Sequence, residues 1–323
     1  MKAYFIAAVD GETKLEAREA PQPQPGPGQI LVRVRASSLN RGEFIVGGRT
    51  MPGPAKPAGG EAAGEIVSAG SGVDRKAGER VMGRCPGAFA EFALMDAREA
   101  VPIPANLSWE QAASIPLTFM VVHDMLVEQG RLKAGEWLLV TGVSSGVGVA
   151  ALQAAKALGA KVIGTSGSSK KLSLLGELGL DVAIETRKAD FAKKVMEATD
   201  GKGANLAVNT VGGSVFAEIV RALAYEGRLA IVGYVDKVLK AEFDLEAVHT
   251  KRLRIFGVSN KLRNAEQRAG TVRGFAADFV PLFASGKIEP LVTRVFDFVD
   301  LLKAKAYMET DAHVGKIVIR MPG

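Results

Sequence analysis

Apolar and polar positions alternate in short runs through the first third of the chain. "MKAYFIAAV", "QILVRVRASSL", "AAGEIVSAG" and "AFAEFALM" read as strands, bounded by Gly, Pro and Asp. The Pro-rich piece "APQPQPGPGQ" lies between strand candidates and predicts a stiff, extended connection. Glycines are dense over residues 42–87, which suits a small barrel with tight corners. Near Trp109 the period changes. "SWEQAASIPL" and "FMVVHDMLVEQ" repeat at helical spacing, with Ser108 placed as an N-cap. Strands then alternate with helices: "EWLLVTG" precedes "GVGVAALQAAKALG", "KVIGTS" precedes "SKKLSLLGELG", and "DVAIE" precedes "DFAKKVMEAT". "LAVNTV" precedes "FAEIVRALA", and "RLAIVGYV" and "RIFGVS" add two further strands. Parallel strands need long crossovers, so the alternation predicts a parallel sheet with helices on both faces. A helix, "RGFAADFVPLFASG", and a last strand, "KIVIR", follow, the strand returning to the N-terminal barrel.

Composition narrows the classes. The 323 residues are 47% hydrophobic and 24% charged, ordinary for a globular protein large enough for two domains. One cysteine, Cys85, excludes an internal disulfide and a thiolate-rich metal site, and beside Pro86 it reads as a small packed hydrophobe. The formal charge of +6 is scattered among acids without a basic tract. That suits weak steering of small anions better than nucleic-acid binding. Neither a basic-then-apolar leader nor an apolar run of bilayer length is visible, so the expectation is a soluble, cytoplasmic protein.

The stretch "LLVTGVSSGVGVAALQAAKALGAKVIGTS", residues 138–166, carries the chemistry. A strand that breaks into Gly and Ser and continues as a long Ala-rich helix has the form of a dinucleotide-binding turn. Glycines let the backbone approach a pyrophosphate, and the helix N-terminus offers free N–H groups to it. A tight structural turn shares this spacing, which is not a strict G-x-G-x-x-G; its place after the first strand of a β/α run favours the phosphate role. At the end of the second strand an Asp or Glu would bind the adenosine ribose hydroxyls and repel a 2′-phosphate. "GTSGSSKK" instead offers Ser166, Ser168 and Ser169 with Lys170 and Lys171. A solvated N-cap with surface lysines would look similar, but the missing acid favours NADPH over NADH.

The succession "GPGQILVRVRASSLN", "GGEAAGEIVSAGSGV", "GERVMG", "AFAEFALM", "VPIPANLSWEQAASIPL", "SSGVGVAALQAAKALGAKVI", "NTVGG" and "GKIVI" resembles the medium-chain dehydrogenase/reductase superfamily. Within it, the chain is most similar to the zinc-independent quinone oxidoreductase branch. The resemblance implies an α/β protein in two domains. A GroES-like β-barrel, residues 1–120 and 265–323, would serve substrate and catalysis. A Rossmann doubly wound parallel sheet, residues 121–264, would bind NADPH, with the active site in the cleft between them. Cofactor-binding positions implied in the same way are Gly142, Ser144, Ser145, Gly146 and Val147 in the turn, and Ser166, Ser168 and Lys171 after the second strand. Thr186 stands where relatives carry a Tyr near the adenine. Asn209, Gly233, Tyr234, Phe256, Val258 and Lys316 complete the implied cofactor set. Asn40, in "SLN", matches the family's Asn near the nicotinamide and is the candidate catalytic residue, as an orienting polar group; a β-turn Asn has the same local sequence. Glu43, where the family usually has Asp, reads as structural.

Departures from the family matter equally. Zinc-dependent relatives place a Cys after the second strand and a His inside Gly-His-Glu, whereas this chain has "SSLN" there and Gly60 in "AGGEAAG". The Cys-rich lobe is absent too, so no metal and no Lewis acid are expected. His123, His249 and His313 are far apart in sequence and read as single hydrogen-bonding residues. The family's Thr that reaches the nicotinamide amide is Val121 here, and the tyrosines of its substrate cleft map onto Ile45 and Met51. A more apolar pocket is implied.

The expected activity is hydride transfer from NADPH to a quinone or an α,β-unsaturated carbonyl compound. Without zinc it rests on near-attack placement and on donors to the developing oxyanion. Two other readings stay open. One is an enoyl-thioester reductase acting on coenzyme A or carrier-bound substrates. The other is a non-enzymatic NADPH-binding protein with a sensor or structural role. The apolar edge candidate "RLRIFGVSN", read with the pairing habit of relatives, leads to an expected homodimer.

Overall fold

The computed structural model describes residues 1–45 and 53–322, so Met51 lies outside the described residues. The chain divides into two compact units, Met1–Thr118 with Ala265–Gly323, and Phe119–Asn264.

In the first unit, the strand Gln29–Ser38 is the hub. Its apolar residues Ile30, Val32 and Val34 point into a core shared with Ile66, Val81 and Phe89. It pairs antiparallel with Glu61–Ala69, with Phe92–Asp96 and with Lys316–Arg320. The last pairing sets Val318 opposite Ser38, so "KIVIR" does return to the barrel. Val292–Asp297 lies parallel beside that returning strand. Arg80–Arg84 and Val101–Pro102 extend the sheet on its other side.

Two of these strands are not evident from apolar runs. Glu12–Glu19, "ETKLEARE", carries only Leu15 and Ala17 as apolar side chains, yet it pairs along its whole length with Lys2–Val9. Its cause is the turn. Asp10 and Gly11 both have positive φ, 53° and 80°, the two-residue geometry whose twist matches paired strands. Val292–Asp297 is half-exposed and gains its place from its long-range partner. Residues 20–26, within "APQPQPGPGQ", run without regular structure into Gln29–Ser38.

"SWEQAASIPL" is two pieces. Ser108 caps Trp109–Ala113 in a reciprocal capping box with Gln111, and Pro116 then opens a separate helix, Pro116–His123.

The second unit is built on a parallel sheet. Its order among the described residues is Val182–Glu185, Lys161–Ser166, Trp137–Thr141, Ala204–Asn209, Leu223–Ile231 and Arg254–Gly257. Every neighbouring pair is parallel. Strand order reverses direction on either side of Trp137–Thr141, which is the doubly wound, Rossmann arrangement and marks a switch point there. Leu139, Ile163, Ala207 and Leu229 are buried, as strands covered by helices on both faces require. The helix Gly146–Ala157 presents Ala150, Ala151, Ala154 and Ala155, all buried; their small side chains allow close packing. Among the described residues, no helix is long and apolar enough to cross a membrane.

Candidate functional site

Register brings the strand ends of the second unit into one row. Thr165, Thr141, Asn209, Ile231 and Gly257 are successive partners across the sheet at its carboxyl edge. Ligands of open parallel sheets bind beyond that edge, at the switch point. The glycine-rich turn stands there. Gly142 has φ +67°, and a Cβ on it would sit 2.6 Å from Thr210 Oγ1. On Gly148 a Cβ would come within 2.6 Å of the Gly142 and Val143 carbonyls, so the helix approaches the turn as closely as backbone permits. Ser145 is the N-cap of Gly146–Ala157, its hydroxyl accepting the Gly148 N–H at 3.1 Å. Gly146 and Val147 form the first turn, where N–H groups have no acceptor within the helix. Ser144 Oγ lies 3.2 Å from Ser166 Oγ, which ties the turn to the end of the second strand.

Past that strand, Ser168 caps Ser169–Glu177 by accepting the Lys171 N–H at 3.4 Å. Lys171 therefore stands in the first turn of this helix. Thr186 donates its N–H to Ser166 O at 2.9 Å, and its hydroxyl donates to Asp190 at 2.6 Å. An acid does reach this place, from the third strand. Glu185 Oε1 accepts the Ser169 N–H at 3.2 Å. The second strand ends without an acid, but the space beside it has one.

Asn209 is buried, and its carboxamide bonds chiefly within its own turn, with the Thr141 hydroxyl donating to Oδ1 at 3.4 Å as well. Oδ1 accepts the N–H groups of Val211 and Gly212, both at 3.0 Å, and Nδ2 donates to Gly212 O at 2.9 Å. Gly233 follows the fifth strand, its N–H on Asn209 O at 3.3 Å. Tyr234 beside it is exposed. Phe256 lies on the edge strand, and Val258 is buried with its N–H on Ile231 O.

The first unit holds a different cluster. Glu61 is fully buried. Its Oε1 accepts from Ser38 Oγ, from Asn40 Nδ2 at 2.8 Å and from Lys316 Nζ at 3.1 Å, while Oε2 accepts the Leu117 N–H at 2.7 Å. Lys316 Nζ also donates to Asn40 Oδ1 at 2.8 Å and to Leu39 O at 3.2 Å. Asn40 Nδ2 further donates to Glu43 Oε1 at 3.2 Å. Lys316 thus groups with Asn40 in this unit, and both amide hydrogens of Asn40 are directed at carboxylates. A buried carboxylate and ammonium are tolerable in this setting because each neutralises the other and the remaining lone pairs and protons are engaged.

Glu61 and Ser38 are missing from the candidates drawn from sequence. The available signal is an acid in the middle of the small, apolar run "AGGEAAG". Ile45, a position implied for the substrate cleft, is exposed. Cys85 is fully buried, and burial pushes its thiol up to about 12, so it packs as a hydrophobe. Among the described residues, no three His, Cys, Asp or Glu side chains come together in a group able to hold a metal ion.

Comparison with known proteins adds to this geometry. A family model described as an alcohol dehydrogenase GroES-like domain matches residues 26–105, and one described as a zinc-binding dehydrogenase matches residues 146–271. A phenolphthiocerol/phthiocerol polyketide synthase of Mycobacterium tuberculosis is 32% identical over 312 residues, which cover 95% of this chain and 14% of that protein. The chain thus spans a small part of that curated relative's length. The structure of mycobacterial Rv1454c complexed with NADPH is similar at 27% identity and a TM-score of 0.88, covering 99% of this chain and 100% of that one. The JamJ enoyl reductase, in its apo form, shares 26% identity at a TM-score of 0.86 over 100% of both chains. With both family models matched in order and the fold shared along its length, the chain belongs to the medium-chain dehydrogenase/reductase superfamily of oxidoreductases.

Proposed function

We propose that this chain is an NADPH-dependent reductase of a quinone or an α,β-unsaturated carbonyl compound, working without a metal. One observation carries the reading: a glycine-rich turn at the switch point stands beside a second strand that ends in Ser166 rather than in an acid, with Ser168 capping the helix that follows. The close backbone approach at Gly142 and Gly148 fits a pyrophosphate, and the first-turn N–H groups of Gly146 and Val147 would hold it. Ser166, Ser168 and Lys171 would take the 2′-phosphate. NADPH, when bound, supplies the hydride. Asn40 is the candidate orienting residue, and the Glu61–Lys316 pair fixes the plane of its carboxamide. Binding of NADPH by Rv1454c supports the cofactor.

A second reading, an enoyl-thioester reductase for coenzyme A or carrier-bound substrates, is favoured by a specific observation. Nearly the whole chain aligns with a stretch of a polyketide synthase, and the JamJ enoyl reductase shares its fold end to end. The protein would act as a cytoplasmic homodimer. Its edge strand Arg254–Gly257 has a neighbour on one side among the described residues and offers the other to a second copy.

Turnover of NADPH against a quinone, an enone and an enoyl-coenzyme A separates these readings. Oxidation with the quinone or enone is expected, and preference for the thioester would select the second reading. Binding of NADPH with no turnover on any of them would leave a sensor or structural role. Lys171→Ala should weaken NADPH about tenfold, through loss of a charge-assisted contact, and leave NADH nearly unchanged. Equal loss for both cofactors would refute the phosphate assignment.

A further inference from the structure

The first unit leaves a strand edge open. Lys2–Val9 lies between Glu12–Glu19 and Lys56–Pro57, so Glu12–Glu19 ends that sheet. Met1 and Ala20 exchange hydrogen bonds with each other, at 2.8 and 2.9 Å. Bonded positions alternate along an antiparallel ladder, so Glu12, Lys14, Glu16 and Arg18 turn their N–H and C=O groups toward Lys2–Val9. Thr13, Leu15 and Ala17 turn theirs outward, and these groups have no partner among the described residues.

A groove of about 320 Å³ opens beside this edge. Thr13, Lys14 and Leu15 form one wall, and Leu302, Lys305, Ala306 and Glu309 form the other. Consecutive strand residues share a wall only along the backbone edge, because their side chains alternate between faces. The four helix residues recur at the spacing of one face of Leu301–Glu309. Lys305 is paired with Glu309 at 2.5 Å, whereas Lys14 has no ion-pair partner among the described residues. Leu302 is exposed, and Leu15 is half-buried against the barrel core.

Lysines on an open edge serve to keep foreign strands away. Here the charges alternate in sign along the solvent face, as Glu12, Lys14, Glu16 and Arg18. Antiparallel pairing of two copies about Leu15 sets Lys14 opposite the partner's Glu16, and Glu12 opposite the partner's Arg18. It also sets Thr13 opposite the partner's Ala17 and Leu15 opposite its own counterpart, so the outward N–H and C=O groups meet. A two-fold axis at Lys14 would oppose that residue to itself and Glu12 to Glu16. An axis at Glu16 would oppose that residue to itself and Lys14 to Arg18. Axes at Thr13 or Ala17 leave much of the strand unpaired. In the single chain Arg18 holds Glu16 at 2.7 Å, and pairing exchanges that contact for one between copies.

We propose that Glu12–Glu19 pairs with the same strand of a second copy of this chain, antiparallel and centred on Leu15. The joined sheet brings the two Leu15 side chains onto one face, beside the wall that carries Leu302 and Ala306. This surface belongs to the first unit and is distinct from the Arg254–Gly257 edge. Alone it makes a dimer, and with that edge also paired it makes a tetramer.

Sedimentation velocity over a concentration series tests the pairing. In Lys14→Glu, and separately in Glu16→Lys, like charges face each other across the axis, and self-association should weaken about tenfold or more. An equal mixture of the two variants should restore it, because each carries one sign at both positions and meets the opposite sign on the other. The double variant Lys14→Glu with Glu16→Lys should associate as the unaltered protein does. Both positions are exposed, and an unchanged Tm certifies the fold of each variant. Hydrogen exchange resolved to single residues should show protection of the Thr13, Leu15 and Ala17 amides that rises with concentration. Association that responds to neither single variant, or a mixture no more associated than its components, overturns the pairing and leaves the Arg254–Gly257 dimer standing. Unprotected Thr13, Leu15 and Ala17 amides at the highest concentration overturn it as well.

Discussion

Two sets of polar residues, one in each unit, are held in place by contrasting means. At the carboxyl edge of the parallel sheet, Ser145, Ser168 and Asn209 each bond to backbone within three residues of themselves. In the first unit, Ser38, Asn40, Glu61 and Lys316 bond mainly to one another, and Lys316 meets Glu61 across 255 positions of sequence. The first set satisfies backbone groups that any helix start or strand end leaves open. The second neutralises charge in a place water does not reach. Caps and turns can be exchanged one at a time at modest cost, whereas a buried carboxylate deprived of its cation has nowhere to turn. The sheet edge is therefore a set of separable parts, and the Glu61 cluster is a unit.

That contrast is most exposed to attack at Lys316. Lys316→Ala leaves Glu61 buried without its cation and should cost about 3–5 kcal/mol in urea unfolding. Adding Glu61→Gln should recover part of that loss, because the uncompensated charge is then removed. A double variant no more stable than the single one would show that the cluster is not a charge-balanced unit.

Asn40→Ala tests whether the same unit also serves the reaction. The loss of bonds to Glu61 and Lys316 should lower stability by about 1–3 kcal/mol, and kcat/KM should fall by about ten- to a hundredfold. NADPH affinity should change little. Normal kinetics in the surviving folded protein would confine Asn40 to holding the barrel together.

The smallest effect belongs to the sheet edge. Ser145→Ala removes a helix cap, so stability should drop by about 1 kcal/mol, with a modest loss of cofactor affinity. A much larger loss of affinity, measured by titration, would mean that the hydroxyl itself contacts the cofactor and that the parts of this edge act together.

The two regions also differ in how far they can be read from residues alone. The Gly-rich turn, the caps at Ser108, Ser145 and Ser168, and the β/α alternation are local patterns, and each produces its structure within one or two turns of chain. Glu12–Glu19 is hidden because Leu15 and Ala17 are its only apolar residues among charged ones, although the Asp10–Gly11 turn is a usable signal. The place of Glu185 is hidden because the end of the second strand says nothing about what the third lays beside it. The bonds of the Asn209 carboxamide to its own turn and to Thr141 likewise need the folded backbone to appear.

From sequence alone came the α/β class, the barrel with its returning C-terminal strand, the family, and the glycine-rich turn between strand and helix. These depend on period, on spacing and on glycines at close approaches, all properties of neighbouring residues. Tertiary structure alone decided that Glu61 and Lys316 neutralise each other around Asn40, and that Glu185 flanks the end of the second strand. Those partners lie on different strands, and register, which sets who faces whom, is fixed by the packing of whole sheets rather than by any one segment.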